Sequence, residues 1–146
     1  MVVEELNIEG LKVFTPRIFE DDRGYFFESF NQTIFDNAVG ESIVFCQDNE
    51  SRSSKYVLRG LHFQAPPHGQ GKLVRVTQGS VLDVAVDLRK GSSTYGQYEK
   101  VLLSADNKKQ FWVPPGFAHG FCVLSEIADF EYKCTDYYDP SDEGSI

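Results

Sequence analysis

The stretch from Lys72 to Leu88, KLVRVTQGSVLDVAVDL, restricts the fold more than any other part of the chain. Lys72 to Thr77 is a run of strand-forming residues, Gln78-Gly79-Ser80 has the chemistry of a tight turn, and Val81 to Leu88 alternates. Leu82, Val84, Val86 and Leu88 share one parity, while Asp83, Ala85 and Asp87 share the other. A period of two sends neighbouring side chains to opposite faces of a pleated ribbon and does not build the stripe of a helix. The segment therefore predicts an antiparallel hairpin. Similar runs recur at Gln97 to Leu103, Lys109 to Val113, Phe121 to Leu124 and Ala128 to Thr135, with Ser104-Ala105-Asp106-Asn107 as a turn. In the last run Ala128, Phe130, Tyr132 and Cys134 fall on one face. Asn31 to Val39 alone predicts a helix, and a short one. Many short antiparallel strands at this spacing predict an all-β sandwich or jelly roll. The 146 residues show no linker, repeat or low-complexity segment and read as one domain, 1–146. A chain this long buries roughly 70% of its unfolded surface, so its core needs neither disulfide nor metal.

Fourteen Lys plus Arg against 22 Asp plus Glu leave a net charge of −8. That balance argues against broad binding to nucleic acid or an anionic membrane, which needs a cationic surface. A small anionic ligand needs only two or three well-placed cations and remains compatible. The apolar runs are too short to span a bilayer, and MVVEELNIEG has neither the basic start nor the apolar core of a signal segment. Cys46, Cys122 and Cys134 lack close spacing, so neither a disulfide framework nor a thiolate metal site is expected. A cytoplasmic location is the expectation.

Of three histidines, two have informative surroundings: His62 in LRGLHFQ and His119 in VPPGFAHGF. A lone histidine in a β-protein is commonly a satisfied core or surface residue. At His62 an arginine and a glycine stand within four residues. Strict alternation sends Arg59 and His62 to opposite faces; a bulge at Gly60 brings them to one side. PPGFAH matches the Pro-x-Gly-x-x-His half-motif of cupin barrels. Metal-binding cupins carry two histidines one residue apart in the other half-motif, but His62-Phe63-Gln64 has one, and His68 lies beyond Pro66-Pro67. No metal or other cofactor is expected, with a site of His62, His119 and one carboxylate as the alternative. Tyr132, on the apolar parity of its strand, is expected to face the interior. Parity sets Lys72 opposite Arg75, so at most one points inward. An inward cation must meet a carboxylate or an anionic ligand, and Glu28, Asp48 and Glu143 are candidate carboxylates.

Seven segments together resemble the dTDP-4-dehydrorhamnose 3,5-epimerase family: DRGYFFES from Asp22, QDN from Gln47, LRGLHFQ from Leu58, QGKLVR from Gln70, DVAVDLR from Asp83, PGFAHGF from Pro115, and YKCT from Tyr132 before Tyr137-Tyr138. They run in order through essentially the whole chain. The resemblance implies a metal-independent cupin jelly roll (a double-stranded β-helix). Its activity would be to invert C3 and C5 of dTDP-4-dehydro-6-deoxy-D-glucose, giving dTDP-4-dehydro-L-rhamnose for deoxysugar biosynthesis. Both carbons flank the C4 ketone, so the chemistry needs a base on one face of the ring, an acid on the other and a donor at the oxygen. By resemblance His62 is the base, Tyr132 the acid and Lys72 the cation at the developing enolate. Arg23 and Arg59 match diphosphate-binding arginines; Glu28, Gln47, Asp48, Asn49, His119 and Glu143 match further binding positions; Tyr138 matches the residue that stacks on thymine. The resemblance also implies a homodimer with exchanged N-terminal strands, some site residues crossing the interface.

Family members run on past the position of Ile146, and the aspartate paired with the histidine base, together with a lysine contact, lies there. Asp83 and Asp48 are the candidates to replace that aspartate, and binding is expected to survive its loss better than turnover. Other readings stay open: a C3-only epimerase, a weakened nucleotide-sugar-binding cupin, a 3,4-ketoisomerase and a metal-dependent cupin oxygenase or isomerase.

Overall fold

Alternation and turn chemistry produce thirteen strands and one helix in the computed structural model, which describes residues 1–146. In chain order these are β1 (Val2–Glu5), β2 (Lys12–Thr15), β3 (Phe19–Asp21), β4 (Gly24–Phe26), α1 (Gln32–Val39), β5 (Gln47–Ser54) and β6 (Leu58–Gln64). There follow β7 (Lys72–Gln78), β8 (Ser80–Asp87), β9 (Tyr98–Ser104), β10 (Gln110–Val113), β11 (Phe117–Val123), β12 (Ile127–Cys134) and β13 (Glu143–Ser145). All pairings are antiparallel. One sheet has the order β1-β2-β10-β7-β12-β5 and the other β13-β6-β11-β8-β9, with β3-β4 as a separate hairpin. The two sheets face each other as a jelly roll, the all-β architecture expected from the sequence. The strand starting at Phe117 is longer than the Phe121–Leu124 run predicts.

The core lies between the sheets. Val74 and Val76 of β7, Val81 and Ala85 of β8, Phe121 of β11 and Phe130 of β12 belong to one buried cluster, with the Phe121 and Phe130 rings stacked 4.1 Å apart. Past Val81 strand β8 is inverted: Leu82, Val84 and Val86 face outward half-buried, while Asp83, Ala85 and Asp87 face inward fully enclosed. Asp87 is satisfied there by Arg89, Ser92 and Thr94, which ties down the turn after β8.

A second cluster fills the opposite side of the six-stranded sheet. Phe14, Leu73 and Trp112 project there and meet Phe35 of α1. The helix starts at Asn31, whose side chain accepts from the Ile34 backbone N–H, and stops at Gly40 in the left-handed region. No helix is long and apolar enough to cross a membrane.

Candidate active site

Strands β5, β12 and β7 lie side by side, and their register brings particular side chains into rows. Asn49 is opposite Tyr132, Gln47 is opposite Cys134, and Cys134 is opposite Lys72. All five project from the inner face. The facing wall comes from β6 and β11, where His62 is opposite His119. Phe121 is opposite Arg59, so two steps along β11 match three along β6. Of the two arrangements open at Gly60, strict alternation and a bulge, this is the bulge, and it puts Arg59 and His62 on one face. Gly60 has φ +112°, and a Cβ there would lie 2.7 Å from the His119 carbonyl oxygen and 2.8 Å from the Gly120 Cα. Only glycine fits.

A cavity of about 280 Å³ opens between these walls, with His62, Lys72, Asn49, Tyr132, Tyr138 and Glu143 among its lining residues. His62 is half exposed, with its Nδ1 3.7 Å from Glu143 Oε1. Tyr138 donates its hydroxyl to Glu143 Oε2 at 2.6 Å, and its backbone N–H reaches Gln47 Oε1 at 3.3 Å. Lys72 is half-buried with no carboxylate in ion-pair range, and its Nζ stands 5.4 Å from the Tyr132 ring centroid. Burial pulls the Lys72 pKa down, against Cys134, Asp83 and Glu143, which favour its charge. Burial pushes the Tyr132 phenol up, while Asn49 and the Arg59 charge act against that. Burial also pushes the Cys134 thiol up to about 11, so it is neutral and unreactive near pH 7. Arg59 donates Nε–H to the buried Ser53 hydroxyl at 2.7 Å, which orients the guanidinium from β5.

Several sequence expectations need correction. Asp48 points to the other face of its sheet, where it is exposed and meets Lys133 Nζ at 3.2 Å. Asp83 is inside but bonds His119 Nε2 at 2.7 Å, and neither carboxylate takes the place beside His62; Glu143 does. The period-two pattern that turns Asn49 inward turns Asp48 out. Arg23 and Glu28 do not reach the cavity within one chain: both are exposed, and Arg23 caps its hairpin through Asp21 at 2.6 Å. Of the inward-cation pair Lys72 and Arg75, Lys72 enters the cavity and Arg75 meets Glu131 outside. His68 turns away, as expected, to Asp142 and Asp139. Ser53 was not legible in the sequence, because a serine in the polar run QDNESRSS carries no distinguishing signal.

A larger groove of about 370 Å³ lies on the outer face of the six-stranded sheet. Its Arg75–Glu131 and Lys133–Asp48 charges pair with one another, and no histidine lines it.

A jelly roll with an imidazole on one inner wall and a phenol beside an unpaired ammonium on the other is a cupin-like protein equipped for proton transfer. The sequence profile of the dTDP-4-dehydrorhamnose 3,5-epimerases matches residues 5–146. This chain belongs to that family. It is 56% identical over 146 residues to the dTDP-4-dehydrorhamnose 3,5-epimerase of Salmonella typhimurium, covering all of this chain and 80% of that one. Among solved structures, a dTDP-6-deoxy-D-glucose-3,5-epimerase from Legionella pneumophila, in complex with dTDP-4-keto-L-rhamnose, superposes with a TM-score of 0.95 at 54% identity, over 99% of this chain and 77% of that one. A 3'-monoepimerase from Streptomyces bikiniensis, in complex with dTDP-quinovose, gives a TM-score of 0.92 at 35% identity, over 97% and 71% of the two chains.

Proposed function

We propose that the protein inverts C3 and C5 of dTDP-4-dehydro-6-deoxy-D-glucose to form dTDP-4-dehydro-L-rhamnose, a step of deoxysugar biosynthesis. The observation that carries this reading is the placement of His62 and Tyr132 on facing sheets around one cavity, with Lys72 beside the phenol. A flat enolate held between those walls meets a base on one face and an acid on the other. His62 takes the proton from C3 and the electron pair moves onto the C4 oxygen, where the Lys72 ammonium stabilises the charge. Tyr132 then delivers a proton to the opposite face of C3, which inverts the centre and leaves a phenolate. Solvent removes the proton from His62 and restores Tyr132, and the sequence repeats at C5. Burial raises the phenol pKa, which keeps Tyr132 protonated until the enolate forms. Gln47, Asn49, Arg59, His119 and Glu143 bind the sugar and diphosphate, and Tyr138 offers its ring to the thymine.

The protein works as a homodimer in the cytoplasm. The outward face of the five-stranded sheet supports this, because Leu58, Cys122, Leu82 and Leu102 form one apolar row across four strands. Leu58 is 68% exposed and Leu102 52%, an arrangement a lone molecule rarely leaves in water. Arg23 and Glu28, which fall outside their own chain's cavity, serve the partner's. Exchange of β1–β2 between copies would reproduce the same β2–β10 pairing in trans. Three unpaired thiols fit a reducing compartment.

The test is proton exchange. In deuterated water, dTDP-4-dehydro-6-deoxy-D-glucose should acquire deuterium at C3 and C5, and His62→Ala should abolish both while nucleotide affinity stays within a few-fold. No exchange at either carbon, with nucleotide bound, removes the proposal. Exchange at C3 alone selects the second reading, a C3 epimerase, the activity named for the Streptomyces bikiniensis 3'-monoepimerase that shares this fold.

A further inference from the structure

Asp83 is a fully enclosed carboxylate on β8 that the proton transfers above do not use. Its Oδ1 lies 2.7 Å from His119 Nε2, within hydrogen-bond distance, and its Oδ2 has no partner. Asp87, two turns of the pleat along the same strand, shows what a carboxylate with a purely structural task looks like here, since both of its oxygens are bonded. A buried carboxylate with one empty oxygen is costly to keep charged. A carboxylate held at that cost acts through its neighbours.

Those neighbours lead to the reacting centre. Across β8 and β11 Asp83 is opposite Phe121 and diagonal to His119, and across β11 and β6 His119 is opposite His62. A carboxylate and two imidazoles thus stand in succession on one inner wall. His119 is 7% exposed and stacks on Phe130 with ring centroids 6.2 Å apart, so its ring is held. Its Nδ1 makes no hydrogen bond within the protein, which leaves that nitrogen free to bond a ligand. Charged and titratable groups nearby are Lys72 on β7, Tyr132 and Cys134 on β12, and His62 on β6 with Glu143 on β13.

We propose that Asp83 is a positioning residue for the epimerisation: it holds His119 as the Nε2–H tautomer and so presents Nδ1 as a hydrogen-bond acceptor for a sugar hydroxyl beside His62. This rests on the epimerase reading. The other tautomer, or an imidazolium, would present a donor at the same point and turn that hydroxyl the wrong way relative to the base. The Asp83 charge also favours the ammonium form of Lys72.

Two measurements decide it. Ring ¹⁵N–¹H correlation spectra of the unaltered protein between pH 6 and 8 should show His119 protonated at Nε2 and bare at Nδ1; an Nδ1–H tautomer or an imidazolium overturns the proposal. Asp83→Asn should slow exchange at C3 and C5 on the order of 10²-fold, with KM within about threefold and dTDP binding intact. Asp83→Glu should recover part of that loss. Exchange by Asp83→Asn within threefold of the unaltered protein also overturns it. Should the unaltered protein exchange at neither carbon, the epimerase reading fails by itself, and the ring spectra still decide the tautomer.

Discussion

Replacing Gly60 by alanine tests the geometry of the site at one atom. A Cβ at this position would lie 2.7 Å from the His119 carbonyl oxygen and 2.8 Å from the Gly120 Cα, both backbone atoms of β11. Restoring ordinary contact of 3.4 Å requires β6 and β11 to part by about 0.7 Å, because no side chain there can swing aside. The φ of +112° adds backbone strain of roughly 1–3 kcal/mol. With a weakened ladder bond of about 1 kcal/mol, the total is about 2–4 kcal/mol. For a domain of this size each kcal/mol lowers Tm by about 2–4 °C, so a fall of about 5–15 °C is expected by scanning calorimetry. The same separation displaces His62 from its place opposite His119, so deuterium exchange should fall more than tenfold at temperatures where the variant stays folded. A Tm within 2 °C of the parent, or unchanged exchange, refutes the bulge as the device that aims Arg59 and His62.

Tyr132→Phe keeps the packing against Phe130 but removes the proposed acid, so turnover should drop ~10²-fold in a coupled product assay while KM changes little. His68→Ala cuts the tie from the loop after β6 to Asp142 and Asp139, beside Tyr138, and should weaken dTDP binding several-fold by calorimetric titration. The hydrogen bond to Asp142 raises the His68 pKa, so its contribution to stability is full below the unfolded value of about 6.5 and lost as pH rises through the higher folded one. The urea-midpoint gap between parent and His68→Ala should therefore shrink from pH 5.5 to pH 9. Asp87→Asn removes charge from a carboxylate that Arg89, Ser92 and Thr94 bond, and should cost about 2–4 kcal/mol by denaturant titration with exchange kinetics unaltered. Those bonds, led by Arg89, hold the Asp87 pKa far below the usual carboxylate range, so its contribution persists at neutral pH and fades only as strongly acid conditions protonate it.

Much of the fold was legible because local rules and tertiary packing agree. The β7–β8 hairpin follows from alternation around Gly79, α1 from the Asn31 cap and the Gly40 stop, and the bulge from a glycine between Arg59 and His62. Strand β5 was not legible. QDNESRSS has no apolar face, because its inward positions serve a cavity rather than the core, with only Ser53 buried. The exposed face of the β8–β9 sheet also misleads, since Leu82 and Leu102 look outward while Asp83 looks in.

The order of residues alone determined the strand-rich architecture, the family and the cluster of reactive types at His62, Lys72 and Tyr132, since these depend on short-range periodicity and on motifs. Which carboxylate meets which cationic or imidazole group was decided only by the tertiary structure: Asp83 goes to His119, Glu143 to His62 and Asp48 to Lys133. Strand register and the facing of two sheets set those pairings, and neither is a property of any contiguous stretch of chain.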